Sequence, residues 1–372
     1  MKVLQVLPEL NEGGVERGTL EIGRFLAQEG HHALVVSNGG RLVPSLEAAG
    51  VRHIQMPVHR KSLSGLFLIR PLRRLLSQEK PDILHLRSRW PAWLAWLAWR
   101  GLPRGMRPRL VTTVHGFYSV NPYSAIMTRG ERVIAVSQSI QAYILENYPR
   151  TNPARIRIIP RGVDPTEFPR GYQPDTAWLV QWYSDLPMLQ GARLLTMVGR
   201  ITRGKGHEDF LRVLQALRDT EPRAIGLVVG GVAPGKERYQ DELQQRLRQW
   251  KLQDRVVFLG YRPDVREILA ISDVVFSLSR TPESFGRTSL EALALGRPVV
   301  GYDHGGVGEQ LRALLPAGAV PPGDIQAAVA VTKKFLQAPP NPAVIGPPFT
   351  LEAMCRSTLD VYQELGRPNH YG

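Results

Sequence analysis

Glu283 and Glu291 stand eight positions apart in TPESFGRTSLEALALG, residues 281–296, a stretch that reads as a loop turning into a helix. Ser284, Gly286, Thr288 and Ser289 lie between them. The first amides of a helix are unpaired and carry partial positive charge, so those near Gly286 to Thr288 favour a phosphate. Two helical turns span roughly 11–12 Å, about the reach from a sugar across a diphosphate to a ribose. A carboxylate accepts hydrogen bonds from paired hydroxyls. Glu283 at the sugar and Glu291 at the ribose would then bracket the phosphates. A loop glutamate and an ordinary helix-surface glutamate are the plainer reading.

Such a grip needs cations. VGRITRGKG, Val198 to Gly206, contains G-x-x-x-x-G-K but has Gly206 where a Walker loop has the Ser or Thr that holds magnesium. Arg200 and Lys205 are thus left on a loop between a strand end and a helix start, where they could neutralise a diphosphate directly; the alternative is a pair of solvated charges. A third Gly-rich turn, GGVERG from Gly13 to Gly18, lacks the spacing of a dinucleotide fingerprint. It is either a tight turn or bare backbone at Gly13 and Gly14 that lets a ligand approach.

The elements that must carry these loops follow a rhythm. KVLQVL, HALVVS, DILHL, RLVTTVHG and RVIAVS are short apolar strands alternating with helical stretches. The rhythm breaks in the Gly/Pro/Asp-rich residues 165–192 and restarts with RLLTMVGR, AIGLVVGG, RVVFLG, DVVFSLS and PVVGYD. This predicts an α/β chain of two doubly wound parallel-sheet domains, 1–168 and 190–349. A Pro-rich strap then leads to a terminal helix over 350–366 that could cross back to the first domain. Its face of Leu351, Met354, Thr358, Tyr362 and Leu365 must pack on something.

Composition narrows the partners. The net charge of +14 over 372 residues implies attraction to something acidic: nucleic acid, anionic lipid or phosphorylated substrate. No recognised nucleic-acid motif accompanies it. A single cysteine, Cys355, excludes an internal disulfide, no Cys/His cluster suggests zinc, and the opening MKVLQVLPEL turns polar too soon for a signal peptide. The expectation is a cytoplasmic protein without a membrane span. The segment from Arg60 to Arg109 is strongly basic and holds WPAWLAWLAWR, with Trp90, Trp93, Trp96 and Trp99. A helix apolar nearly all round is usually buried; the other reading is an anchor at a membrane interface.

Taken in order, GGVERG, VHGFYS, VIAVSQSI, IIPRGVD, VGRITRGKG and ESFGRTSLE resemble the family-4 retaining glycosyltransferases over nearly the whole chain. The resemblance implies the GT-B fold, a donor site in the second domain, an acceptor side in the first and a cleft between them. It implies retaining transfer from a nucleotide-diphosphate sugar without a metal or other cofactor. Arg200 and Lys205 match the diphosphate-binding pair, Glu291 the glutamate on the ribose, and Glu283 the glutamate near the donor sugar. The amides of Phe285, Gly286 and Arg287, with Thr288 beside them, would face sugar and phosphate. Gly14, next to Gly13, matches the first-domain glycine near the diphosphate, and His115 the histidine beside the transferred sugar. The base would lie near GYRPD, where Arg262 joins the donor contacts. UDP is the first choice of nucleotide by frequency in the family. A lipid-linked glycan or lipopolysaccharide core at a membrane face would suit the charge as acceptor.

Overall fold

The computed structural model describes residues 1–11, 13–232 and 235–366. Glu12, which precedes GGVERG in the sequence, lies outside them. The chain divides into two compact units, Met1–Gly162 with Leu351–Gly372, and Val163–Thr350.

Unit 1 runs β1 (Lys2–Val6), α1 (Gly14–Gln28), β2 (His32–Ser37), α2 (Val43–Ala48), β3 (Arg52–Gln55), α3 (Ile69–Glu79), β4 (Ile83–Leu86), α4 (Arg89–Arg100), β5 (Arg109–Val114), β6 (Arg132–Ala135), α5 (Gln138–Asn147) and β7 (Ile156–Ile158). Its seven strands pair in parallel in the order β3-β2-β1-β4-β5-β6-β7. Side chains alternate along a strand, so β1 sends Leu4 and Val6 to one apolar layer and Val3 to the other. Both faces are covered, as a parallel sheet requires.

Unit 2 runs α6 (Thr176–Asp185), β8 (Arg193–Val198), α7 (His207–Leu217), β9 (Ala224–Val229), α8 (Arg238–Gln249), β10 (Val256–Gly260), α9 (Val265–Ile271), β11 (Val274–Ser277), α10 (Arg287–Ala294), β12 (Val299–Tyr302), α11 (Gly305–Leu314), β13 (Ala319–Val320) and α12 (Ile325–Gln337). Its six parallel strands are ordered β10-β9-β8-β11-β12-β13. Again β8 alternates, with Leu195 and Met197 in one layer and Leu194 in the other.

The terminal helix α13 (Leu351–Gly366) belongs to unit 1, where Met354, Leu359, Tyr362 and Leu365 join the layer containing Val3, Val111 and Ile134. The first unit stops earlier than residue 168. Val163 bridges to Thr350 and Phe168 is buried in the core of unit 2, so burial, which the Gly/Pro run hides, sets the boundary. That run is also not all linker. Asp175 caps α6 by accepting from the Trp178 amide at 2.7 Å, and Trp182 packs with Leu194, Leu227 and Ile268.

The Trp-rich helix α4 is packed into unit 1. Ala92, Leu94, Ala95 and Trp96 are buried in its core, and Trp90, Trp93 and Trp99 are half-buried. Basic neighbours lie on the ring faces. Arg129 sits 4.8 Å from the Trp96 centroid and 5.6 Å from that of Trp93, and Arg107 sits 4.9 Å from that of Trp99. Among the described residues no helix is long and apolar enough to cross a membrane.

Candidate functional site at the crest of the second sheet

In a doubly wound sheet, ligands bind outside the carboxyl ends of the strands where the strand order reverses. In unit 2 that point lies between β8 and β11, which are hydrogen-bonded neighbours. The loop after β8 carries Arg200 and Lys205; the loop after β11 carries Glu283 and opens helix α10.

The two loops are laced together. Lys205 Nζ donates to Glu283 Oε1 at 2.9 Å, and the Ser279 hydroxyl donates to the same oxygen. The Arg280 amide donates to the Gly204 carbonyl at 2.8 Å. The Arg280 guanidinium grips buried Asp209 through Nε at 2.9 Å and Nη2 at 2.6 Å, while the Tyr302 hydroxyl donates to Asp209 at 2.9 Å. Gly206 has φ +80°, and a Cβ there would stand 1.7 Å from the Leu278 carbonyl oxygen. Only glycine lets the Lys205 loop come this close to the strand β11 exit.

The start of α10 is equally constrained. Gly286 has φ +88°, and a Cβ on it would meet Val307 at 2.3 Å. Phe285 is buried, and its carbonyl accepts from Gln310 Nε2 at 2.6 Å. The Gly306 amide donates to the Glu283 carbonyl at 2.8 Å, so the start of α11 buttresses the loop. The amides of Gly286, Arg287 and Thr288 fall on the helix cap and first turn, where no intrahelical partner exists. Glu291 is 5% exposed and accepts from Arg287 Nε at 3.2 Å. Arg200 is exposed and has no ion-pair partner among the described residues. Arg262 is engaged by Asp264, Nε at 2.8 Å and Nη2 at 2.5 Å, and lies over the Trp182 ring. That pairing shapes the end of β10 and leaves Arg262 little free charge for a phosphate.

Next to Lys205, His207 is 1% exposed, and neither ring nitrogen makes a well-formed hydrogen bond among the described residues, the Thr202 backbone being only a weak partner. Burial, with the Lys205 charge adding to it, pushes its pKa down to about 4. Among the described residues no group of three or more His, Cys, Asp or Glu could hold a metal ion.

Gly13, Gly14 and His115 belong to unit 1. Gly13 has φ +150°, and the Glu16 carboxylate folds back so closely that a Cβ on Gly13 would lie 2.4 Å from it. That carboxylate takes the free amides of Val15 and Glu16, the anion position at the start of α1. His115 follows β5. Its Nδ1 lies 2.6 Å from Arg161 Nη2, and a guanidinium can only donate, so Nδ1 accepts and the ring proton resides on Nε2. Burial, then the charges of Arg161 and Arg87, holds His115 well below the usual histidine range. The result is a neutral imidazole whose buried Nε2–H has no partner among the described residues.

The structure therefore joins Lys205 to Glu283 on the loop that opens α10, the helix that carries Glu291. Sequence reasoning passed over the braces: Ser279, Asp209, Arg280, and His304, whose Nε2 lies 2.7 Å from the Ser279 carbonyl oxygen. One signal for them existed, since DHGG directly follows the strand PVVGY and marks another tight strand-to-helix turn.

Comparison with known proteins agrees with this architecture. Residues 12–167 match the family model for Glycosyltransferase Family 4, and residues 185–347 match that for Glycosyl transferases group 1. N-acetyl-alpha-D-glucosaminyl L-malate synthase of Bacillus anthracis is 28% identical over 320 residues, 82% of this chain and 79% of that protein. The lipopolysaccharide core biosynthesis mannosyltransferase LpsB of Rhizobium meliloti (strain 1021) is 27% identical over 257 residues, 65% of this chain and 68% of that protein. A crystal structure of a glycosyltransferase from Rickettsia africae ESF-5 superposes with TM-score 0.81 at 28% identity, covering 98% of each chain. With both halves matched and the two-sheet architecture shared, the chain belongs to the family-4 glycosyltransferases of GT-B fold.

Proposed function

We propose that the protein moves a sugar, with retention of configuration and without a metal, from a nucleotide-diphosphate sugar to a lipid-linked glycan or lipopolysaccharide-core acceptor. A UDP-sugar is the first donor to test. The observation that carries this reading is the Lys205–Glu283 pair at the switch point of unit 2, with Glu283 on the loop that opens the first turn of α10. An incoming diphosphate takes Lys205 and Arg200, and Glu283 is released to the sugar hydroxyls. Glu291 accepts from the ribose.

Loss of the nucleoside diphosphate concentrates negative charge on the leaving oxygen. Fixed ammonium, guanidinium and helix amides lower that cost without reorganising during the step. The bond from the anomeric carbon to phosphate breaks as a bond to the acceptor hydroxyl forms on the same face. The hydroxyl proton passes to the leaving phosphate oxygen. His115, neutral with its proton on Nε2, donates a hydrogen bond to the sugar and is not the base. The relation to LpsB supports a lipopolysaccharide-type acceptor.

A donor screen tests this. UDP-, GDP- and ADP-sugars are offered with lipopolysaccharide-core and lipid-linked acceptors, and the product linkage is read by NMR. The expected result is one donor consumed and its anomeric configuration kept. Inversion, or donor hydrolysis or epimerisation with no transfer to any acceptor, contradicts the reading.

Peripheral contact with an anionic membrane belongs to the same proposal, through a different surface from the Trp-rich helix. Phe67 is 80% and Leu66 43% exposed, and Arg60, Lys61, Arg70 and Arg74 around them are exposed too. An apolar tip among cations suits a headgroup region. Sedimentation with anionic vesicles should fall with rising salt and with Phe67→Ser; no pelleting at low salt contradicts it.

A further inference from the structure

Unit 1 has its own reversal of strand order, between β1 and β4. Arg87 follows β4 there, and it is 2% exposed. Its Nη1 donates to Gln5 Oε1 at 2.9 Å. Its Nε and Nη2 are buried and have no hydrogen-bond partner among the described residues. Those two nitrogens share one edge of the guanidinium, the fork that takes an oxyanion through two parallel bonds. An arginine does not shed its charge at any physiological pH, so burial cannot be relieved by deprotonation. Leaving buried charged donors unmade costs more than leaving a neutral group unmade.

The surroundings are built for a small guest. Arg161, 8% exposed, comes in from the end of β7, and both guanidinium groups converge on Gly18 of α1. A Cβ on Gly18 would stand 2.5 Å from Arg161 Nη1 and 3.1 Å from Arg87 Nη2. Beside the two arginines, His85, Thr113, Ile159 and Met354 frame a pocket that admits a body about the size of a water molecule. His85 is already spoken for, with Nδ1 2.6 Å from the Tyr362 hydroxyl and Nε2 2.6 Å from that of Thr113. The carboxylates that act on Arg87, Glu21 and Glu16, do so through space; neither is hydrogen-bonded to its free edge.

We propose that the Nε–Nη2 edge of Arg87, with Arg161 beside it, is a binding site for a single anionic atom, either a halide ion or one oxygen of an acceptor phosphate or carboxylate. A water molecule would satisfy the geometry but would leave the buried charge unbalanced. A whole phosphate does not fit, so a substrate anion enters one oxygen first. The site is independent of the donor site in unit 2, and its failure would leave the sugar-nucleotide reading standing.

Bromide tests it on the whole chain. Crystals grown in bromide should show an anomalous peak within hydrogen-bonding reach of Arg87 Nε and Nη2. At constant ionic strength, replacing gluconate by chloride should raise the melting temperature by several degrees. Arg87→Met should remove that response. Gly18→Ala, which puts a methyl group against both guanidinium ends, should weaken it in a chain that keeps the arginine. Inorganic phosphate separates the sources. Loss of the bromide peak in phosphate assigns the site to a substrate oxyanion, and persistence assigns it to a free halide. Absence of the peak, equal melting in chloride, phosphate and gluconate, or a chloride response that survives Arg87→Met overturns the proposal.

Discussion

His207 in unit 2 and Arg87 in unit 1 pose the same electrostatic problem near the strand-order reversals of two similar sheets, one on the loop-to-helix side of β8 and the other at the end of β4. Each is almost fully buried beside a strand-order reversal, and each has two ring or guanidinium nitrogens without a well-formed hydrogen bond among the described residues. His207 escapes by giving up its proton, with a pKa of about 4. Arg87 has no such escape and needs either distant carboxylates or a guest. The cations that face the donor reading differ from both. Lys205 is partly exposed and holds Glu283 as an exchangeable partner, so an incoming phosphate replaces one anion by another. Exposure and a resident carboxylate make a cation available for turnover, whereas deep burial makes it a fixed feature of the site.

That contrast can be broken or sharpened by substitution. Lys205→Ala should have the largest effect, lowering kcat/KM by about 10²–10³-fold and weakening nucleoside-diphosphate binding while the fold persists. Unchanged affinity by calorimetry would remove Lys205 from the site. His115→Ala should lower kcat by about 10²-fold and leave nucleotide affinity alone if its Nε2–H has the proposed role of donating to the sugar; a pure loss of nucleotide affinity would contradict that role. Glu291→Gln keeps the shape of α10 and should raise the donor KM about 10-fold, read from initial rates; a deoxyribose donor should be insensitive to it.

His207 supplies the smallest effect. Its folded pKa is depressed, so between pH 6.5 and about 4 the unfolded chain binds a proton that the folded chain does not. Its contribution to stability is present above that window and is lost as pH falls through it. Moving from pH 7 to pH 5.5 should cost roughly 1 kcal/mol through this residue, seen as a lower urea midpoint. His207→Phe should flatten that part of the profile. An unchanged slope would mean that the imidazole is solvated and the comparison with Arg87 fails.

Much of this was legible in the chain itself. Alternating apolar strands announced two parallel sheets, and the turn residues Gly199, Gly206 and Gly286 marked the loops, because positive φ or close approach leaves a compositional trace. The strands Arg52–Gln55, Ile156–Ile158 and Ala319–Val320 were not legible, since RHIQ holds a single apolar residue and the other two are only three and two residues long. Nor was the helix hidden in the Gly/Pro-rich stretch, whose evidence is one Asp cap and two tryptophans a turn apart. The candidate donor-side residues were proposed from a pattern of acids, glycines and cations. Their braces were not, because Asp209 and Arg280 are 71 positions apart and meet only in the fold. Arg87 was read as one more charge in a basic run; its isolation depends on burial, which no spacing reveals.

The central claim is that the crest of unit 2 holds a nucleoside diphosphate with protein charge alone. Calorimetric titration of UDP, GDP and ADP in the presence of a chelator tests it most directly, with Lys205→Ala alongside. Saturable binding of one nucleotide, insensitive to chelator and weakened in Lys205→Ala, is the predicted result. No binding by any of the three, or binding that appears only when a divalent ion is restored, would contradict it.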